Sequence, residues 1–229
     1  EVDLQDKRVL SVTTVCFDIF VFEFFYPLVK GNTVVIADEN QQIDPMELSQ
    51  LIQEKNIHIV QTTPSRMQLL LMNEEWGSCL ENVTEIILGG EVFPPELFNR
   101  IRKITDARVI NGYGPTEATV YATFKELKEN EKITIGRPLA NVKTYVLDNQ
   151  LNLLPANIIG NLYIGGEGLA RGYLNNEKLT KENFIPSPFE PDKIIYRTGD
   201  LVKWHKNGEL DYVGRADHQV KIRGYRIEL

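Results

Sequence analysis

Between Asn32 and Ile110, short runs of aliphatic and β-branched residues alternate with longer stretches whose apolar positions recur every three or four residues. NTVVIAD (32–38), IHIV (57–60), TEIILGG (84–90) and ARVI (107–110) read as strands. DPMELSQLIQEKN (44–56), the stretch PSRMQLLLM opened by Pro64, and PPELFNRIRKI (94–104) read as helices. Strands that are apolar on both faces and alternate with helices leave few folds open; they imply a parallel sheet covered by helices. The helix over 44–56 has both ends marked. Asp44 stands as N-cap, Pro45 occupies the first helical position, Leu48, Leu51 and Ile52 share a face, and Asn56 is a stop. In the last helix Leu97, Ile101 and Ile104 point inward by the same spacing.

After about Thr123 the texture changes. KTYVLD, NLYIGG, KIIYRTGDLVKWHKNGELDYVGR and QVKIRGYRIEL are strand-like pieces separated by turn signals, of which Asn207-Gly208 is the clearest. This half reads as a mainly antiparallel, distorted, barrel-like region, joined to the first by the charge-rich KELKENEKITIGRPLAN. The expected fold class is therefore α/β with a parallel sheet and flanking helices, followed by that β-rich region. The expected boundaries are 1–125, 126–217 and 218–229.

In open parallel sheets, ligands bind outside the carboxyl ends of the strands. The strand ARVI runs into NGYGPTEAT (111–119) and TEIIL runs into GGEVFP, so two glycine-rich loops are expected on one rim. Gly112 and Gly114 give the first loop room for close ligand approach. Tyr113 offers a flat ring, Thr116 a hydroxyl, and Glu117 a carboxylate suited to Mg²⁺.

Bulk properties exclude several other classes. A formal charge of -7 without any Lys/Arg cluster argues against a nucleic-acid partner. Cys16 and Cys79 lie far apart with no metal-binding or redox spacing, which suggests buried thiols in a reducing compartment, and His58, His205 and His218 lack ligand spacing. No metal site made of protein ligands alone is expected. The longest apolar run, VFEFFYPLV (21–29), is interrupted by Glu23 and too short for a bilayer, and no signal peptide opens the chain. A soluble, cytoplasmic protein with no membrane partner is expected.

CFDIFVFE (16–23), NGYGPTE (111–117), GEGLARGYL (166–174), YRTGDL (196–201) and GRADHQVKIRGYRIEL (214–229) follow in the order of the core motifs of adenylate-forming enzymes. Within that superfamily the series resembles the amino-acid-activating adenylation domain of nonribosomal peptide synthetases, and the resemblance covers essentially the whole chain. It implies ATP and Mg²⁺ as cofactors, an amino acid as substrate, and a carrier domain's phosphopantetheine as acceptor. It also implies peptidyl carrier and condensation domains as partners within one synthetase.

The resemblance further implies residue roles. Gly90, Asn111 and Tyr113 would line or hold the adenine. Thr116 would meet phosphate and Glu117 bind Mg²⁺, the two together forming the catalytic pair. Asp200 would bind the ribose hydroxyls, with Tyr212 and Arg215 as further nucleotide contacts and Asp217 as a hinge. Asp18 would pair with the substrate's α-ammonium, which an acyl-CoA ligase of the same superfamily does not need. Ile19, Phe22, Gln61, Ile87, Gly89, Gly112, Val120 and Tyr121 would line the amino-acid side chain. Apart from Asp18 this lining carries no formal charge, which favours a neutral amino acid, and Gln61 offers one hydrogen bond.

Blander readings stand beside these: Asp18 as the N-cap of the apolar helix that follows, Arg215 in a surface salt bridge, and Ile87 as core. Asn161 is a minor departure, where relatives usually carry Glu. The resemblance also calls for a Ser/Thr/Gly-rich phosphate loop with a lysine before FDIF, and for a small lid bearing a catalytic lysine. Neither is in the sequence, so the chain is expected to be part of a longer polypeptide and inactive alone. The alternatives are a non-catalytic structural or interaction module and a fragment of an acyl-CoA ligase.

Overall fold

The computed structural model describes residues 6–73, 77–217, 220–222 and 225–227. His218 and several other residues of the expected lid segment 218–229 lie outside the described residues. The chain forms two compact units. One comprises Glu1–Asn111, Glu126–Glu131 and Lys221–Tyr225; the other comprises Gly112–Lys125, Lys132–Val220 and Arg226–Leu229.

The first unit is built on β1 (Arg8–Ser11), β2 (Thr33–Ile36), β3 (Ile59–Thr62), β4 (Glu85–Gly89) and, as far as Asn111, β5 (Arg108–Tyr113), in the order β2-β1-β3-β4-β5. The pairings β1–β2, β1–β3 and β3–β4 are all parallel. Every residue of β3 and β4 is buried, as strands covered on both faces must be. Helices α1 (Ile19–Val29), α2 (Glu39–Ile43), α3 (Pro45–Glu54), α4 (Pro64–Leu70) and α5 (Pro95–Arg102) make the connections. Ile52, Ile57, Ile59, Met67, Ile86, Leu88, Leu97 and Ile101 close the core, each under 2% exposed.

Local chemistry sets the helix ends. The Asp44 carboxylate accepts from Met46 N and Pro45 follows it; Thr63 accepts from Arg66 N and Pro64 follows it. Asn56 ends the turn after α3 with φ 49°. Several details depart from the sequence reading. β3 starts two residues later than IHIV. Ile104 lies beyond α5 and is only half-buried. The short α2, held by a reciprocal cap between Asp38 and Gln41, was not anticipated. Of the two thiols only Cys79 is buried; Cys16 is exposed, because it stands in the turn between β1 and α1.

In the second unit β8 (Val142–Leu147), β9 (Gly160–Gly166), β10 (Phe184–Pro186), β11 (Ile194–Trp204) and β12 (Leu210–Arg215) form an antiparallel sheet ordered β10-β11-β9-β8, with β12 also on β11. Asn207-Gly208 turns β11 into β12, Gly208 having φ 79°. β6 (Thr123–Leu127) and β7 (Arg137–Pro138) pair antiparallel and follow β5 in the strand order β2-β1-β3-β4-β5-β6-β7, and α6 (Glu177–Asn183) precedes β10. Ala118, Ala122, Ile135, Val146, Leu162, Ile164, Val202 and Leu210 pack as its core. β13 (Val220–Ile222) and β14 (Tyr225–Ile227) form a two-stranded sheet. The expected α/β sheet followed by a distorted, barrel-like β region is what the chain adopts. Among the described residues no helix is long and apolar enough to cross a membrane.

Candidate functional site

Within the first unit the loops after β1, β3 and β4 share the carboxyl rim of the sheet. Asp18 immediately precedes α1, is half-buried, and makes no side-chain capping hydrogen bond to it. Ile19 is buried and Phe22 stacks on Tyr26 with centroids 5.0 Å apart. Gln61 on β3 is in register with Ile87 on β4, both without exposed surface, so they sit on neighbouring strands at one level of the sheet. Among the described residues, neither polar atom of the buried Gln61 amide has a hydrogen-bond partner. Ile87 also meets its core reading. At the end of β4, Gly89 is buried and Gly90 follows with φ 82°; a side chain at Gly90 would stand 3.3 Å from the Phe17 ring and 3.6 Å from Ile19. Asn111, near the end of β5, is also buried.

Carboxylates tie these loops down. Glu91 accepts from Ser65 N at 3.0 Å and from the Ser65 hydroxyl at 2.6 Å, which joins the loop after β4 to the start of α4. Glu23, fully buried on α1, accepts from the amides of Val12 and Thr13 at 2.9 Å each and from the Thr13 hydroxyl at 2.5 Å. Burial pushes its carboxyl up to about 7, against the pull of these hydrogen bonds and of Arg66. A folded-state value above the ordinary 4.5 means the native state holds this proton more tightly. The associated stability is therefore complete below pH 4.5 and lost as pH rises through 7. Unfolding free energies of wild type and Glu23→Gln should diverge across that window by about 3 kcal/mol; parallel curves in chemical denaturation would contradict the assignment.

In the second unit Asp200 occupies an irregular stretch of β11. Register shifts fall between Arg197 and Leu201 on the β9 side and between Leu201 and Val202 on the β12 side, and Gly199 has φ 77°. Such bulges re-aim a side chain. The Tyr113 hydroxyl donates to Asp200 Oδ2. Arg215 Nη1 donates to Asp200 Oδ1 and to Thr198 O, both at 2.9 Å, while its Nε and Nη2 donate to the two oxygens of Asp217 at 2.9 and 2.6 Å. The Thr198 hydroxyl anchors the bulge, donating to Leu162 O at 2.8 Å and accepting from Asp200 N at 3.0 Å. Burial, then the Asp200 charge, holds the Tyr113 phenol well above its usual range, so it stays a donor. Burial opposes the Arg215 charge, but Asp217 and Asp200 outweigh it and the guanidinium is held more firmly protonated. Arg215 is 17% exposed and bridges two carboxylates, which a plain surface pair does not do. Tyr212 lies beside Tyr113, ring centroids 6.5 Å apart.

The chain after β5 makes a 3-10 turn at Thr116–Ala118. Thr116 is exposed; Glu117 is buried and accepts from the Tyr173 hydroxyl at 2.7 Å. Thr119 and Val120 follow with φ 60° and 67°, a left-handed conformation that costs β-branched residues of order 1–3 kcal/mol each. The Thr119 hydroxyl bonds Gly168 O at 2.6 Å. The space beside the two glycines is taken by the chain itself. A Cβ on Gly112 would come within 2.6 Å of the Tyr121 ring, and one on Gly114 within 2.5 Å of Val120 O. β5 extends through Tyr113, so the first three residues of NGYGPTEAT are strand and not loop, and its glycines serve close packing. Tyr173 and Thr198 were given no role in the sequence reading, although both stand inside quoted motifs, GEGLARGYL and YRTGDL.

Among the described residues no group of three or more His, Cys, Asp or Glu side chains is placed to hold a metal. A Mg²⁺ that arrives with phosphate oxygens is commonly held by only one or two protein carboxylates, the rest of its shell being phosphate and water.

The chain belongs to the AMP-binding enzyme family, whose model matches residues 1–174. Its relatives include nonribosomal peptide synthetases. It is 42% identical over 228 residues to a dimodular nonribosomal peptide synthase of Bacillus subtilis (strain 168), covering 98% of this chain and 9% of that protein. Among solved structures it matches the synthetase protein PA1221, which contains adenylation and PCP domains, with TM-score 0.90 and 28% identity over 99% of this chain and 40% of that one. The four-domain synthetase AB3403, bound to AMP and glycine, matches with TM-score 0.86 and 37% identity over 98% of this chain and 17% of that one. The chain thus spans a small part of the curated relatives and well under half of these solved chains.

Proposed function

We propose that the chain is part of an enzyme that activates a neutral amino acid with ATP and passes it to a carrier-bound phosphopantetheine thiol. In this reaction an oxygen of the amino-acid carboxylate bonds to the α-phosphorus of ATP and pyrophosphate leaves. The thiol sulfur then displaces AMP from the acyl carbon. Chemistry of this kind needs positioning and charge neutralisation more than covalent help.

The observation that carries the reading is the Asp200 cluster. A buried carboxylate, steered by a bulge and braced by Tyr113 and Arg215, is an acceptor-only group suited to vicinal ribose hydroxyls. Tyr113 and Tyr212 offer aromatic surface toward the base, with Asn111 and Gly90 at neighbouring strand ends. Thr116 is exposed where phosphate would approach, and Glu117 would hold Mg²⁺, whose charge would offset that developing on the phosphates. Asp18, half-buried and not engaged in capping α1, is suited to an α-ammonium, and Ile19, Phe22, Gln61, Ile87, Gly89, Gly112, Val120 and Tyr121 to the side chain. Asp217, which binds Arg215, would serve as the hinge to a lid. Adenylation–PCP and multidomain relatives support carrier and condensation domains as partners.

ATP–pyrophosphate exchange tests this reading. The full-length protein should exchange with one or a few neutral amino acids and at least tenfold less with Asp, Glu, Lys or Arg. No exchange with any amino acid would leave only the non-catalytic module, and activity with fatty or aryl acids alone would favour an acyl-CoA ligase. The 229-residue chain by itself should show negligible exchange.

A further inference from the structure

Glu23 is absorbed by none of the roles above, yet it is a fully buried carboxylate in a helix that is otherwise apolar apart from the Tyr26 hydroxyl. Its oxygens reach back to the first residues after β1, taking the Val12 and Thr13 amides and the Thr13 hydroxyl. From there the chain turns into α1 through local backbone hydrogen bonds. The Phe17 amide donates to Thr14 O at 3.0 Å, Phe20 to Phe17 O at 3.0 Å, and Val21 to Asp18 O at 2.9 Å. Arg66, on α4, braces the same segment through Val12 O at 3.4 Å. Asp18 thus sits between two points, residues 12–13 and residue 23, that one carboxylate locks together.

We propose that Glu23 is a positioning residue for amino-acid binding: by clamping the β1–α1 connection onto α1 it fixes where Asp18 presents its carboxylate. This rests on the reading of Asp18 as the partner of the substrate ammonium. A helix N-terminus held only by its own first turn leaves the connection less constrained, and misplacement by about 1 Å is costly at a binding site. A charge-assisted pair depends on tighter placement than that.

The test is exchange kinetics in the full-length protein. Glu23→Ala should raise the KM for the amino acid about tenfold and leave the KM for ATP within about twofold. Glu23→Gln, whose amide oxygen still accepts from Val12 and Thr13, should restore the amino-acid KM to within about threefold of wild type. An unchanged amino-acid KM, an equal rise in both KM values, or failure of Glu23→Gln to restore binding overturns the proposal. Should Glu23→Ala not fold, Thr13→Val removes the hydroxyl contact from the other side and should raise the amino-acid KM alone, by about threefold; no rise there is equally contrary. If wild type exchanges with no amino acid, the enzymatic reading fails by itself. The clamp is then judged by amide hydrogen exchange on residues 12–18 of the 229-residue chain, which must accelerate in Thr13→Val relative to wild type and otherwise counts against it.

Discussion

Replacing Asp200 with alanine is expected to cost about 2 kcal/mol of stability and to weaken AMP binding by the full-length protein by on the order of a thousandfold. The first effect follows from what the carboxylate holds. Breaking a buried ion pair from one side usually costs more, about 3–5 kcal/mol. Here Arg215 keeps Asp217 at 2.6 Å and Thr198 O at 2.9 Å, so its charge is not stranded. The Tyr113 hydroxyl loses its acceptor, and that is the larger share of the loss. The second effect follows from two hydroxyls losing hydrogen bonds to an ionised group, at about 1.5–3 kcal/mol each. Asp200→Asn should fall between the two, because the amide oxygen still accepts from Tyr113 or Arg215 while the charge is gone. Urea denaturation and calorimetric AMP titration separate the terms. A variant that loses stability but binds AMP normally would make the carboxylate structural and remove the main support for a ribose site.

Much of the first unit was legible because its signals are local. Asp44-Pro45 carries a cap and a helix start within two residues, Pro64 marks the next helix start, and TEIILGG is apolar on both faces because both faces are covered. The parts that were not legible depend on partners far along the chain. Glu23 read as a flaw in an apolar helix, since nothing near it in sequence reveals that the Val12 and Thr13 amides need an acceptor. Tyr173 supplies the donor to Glu117 from 56 residues away. The order of motifs brought Tyr113, Asp200, Tyr212, Arg215 and Asp217 into one hypothesis, and within the second unit Tyr113 and Arg215 do bond Asp200. The bulge that aims Asp200 has no sequence signal beyond Gly199, which alone reads as a turn.

The Gly-Tyr-Gly of NGYGPTEAT shows the same limit, and it yields the largest expected loss of stability. Gly114→Ala should destabilise the second unit by about 3 kcal/mol or more. The added carbon would meet Val120 O at 2.5 Å, Ala122 N at 2.8 Å and Tyr121 Cα at 2.8 Å, all backbone atoms that cannot swing aside. The Ala122 amide is itself committed to Tyr113 O at 2.8 Å, closing the turn. No slack exists on the other side either, because Thr119 and Val120 already hold left-handed conformations. Relief must therefore displace the turn carrying Thr116 and Glu117, so the Glu117–Tyr173 contact should go with the stability. Gly208→Ala is the matched control. Gly208 has φ 79°, but nothing lies within 4 Å of its absent side chain, so only conformational strain of about 1 kcal/mol is expected. Thermal denaturation of the two variants side by side decides the point. Equal losses would mean that the turn relieves the contact at 114 by small shifts, whereas a clearly larger loss for Gly114→Ala would show that the motif is spaced by the close approach of residues 120–122.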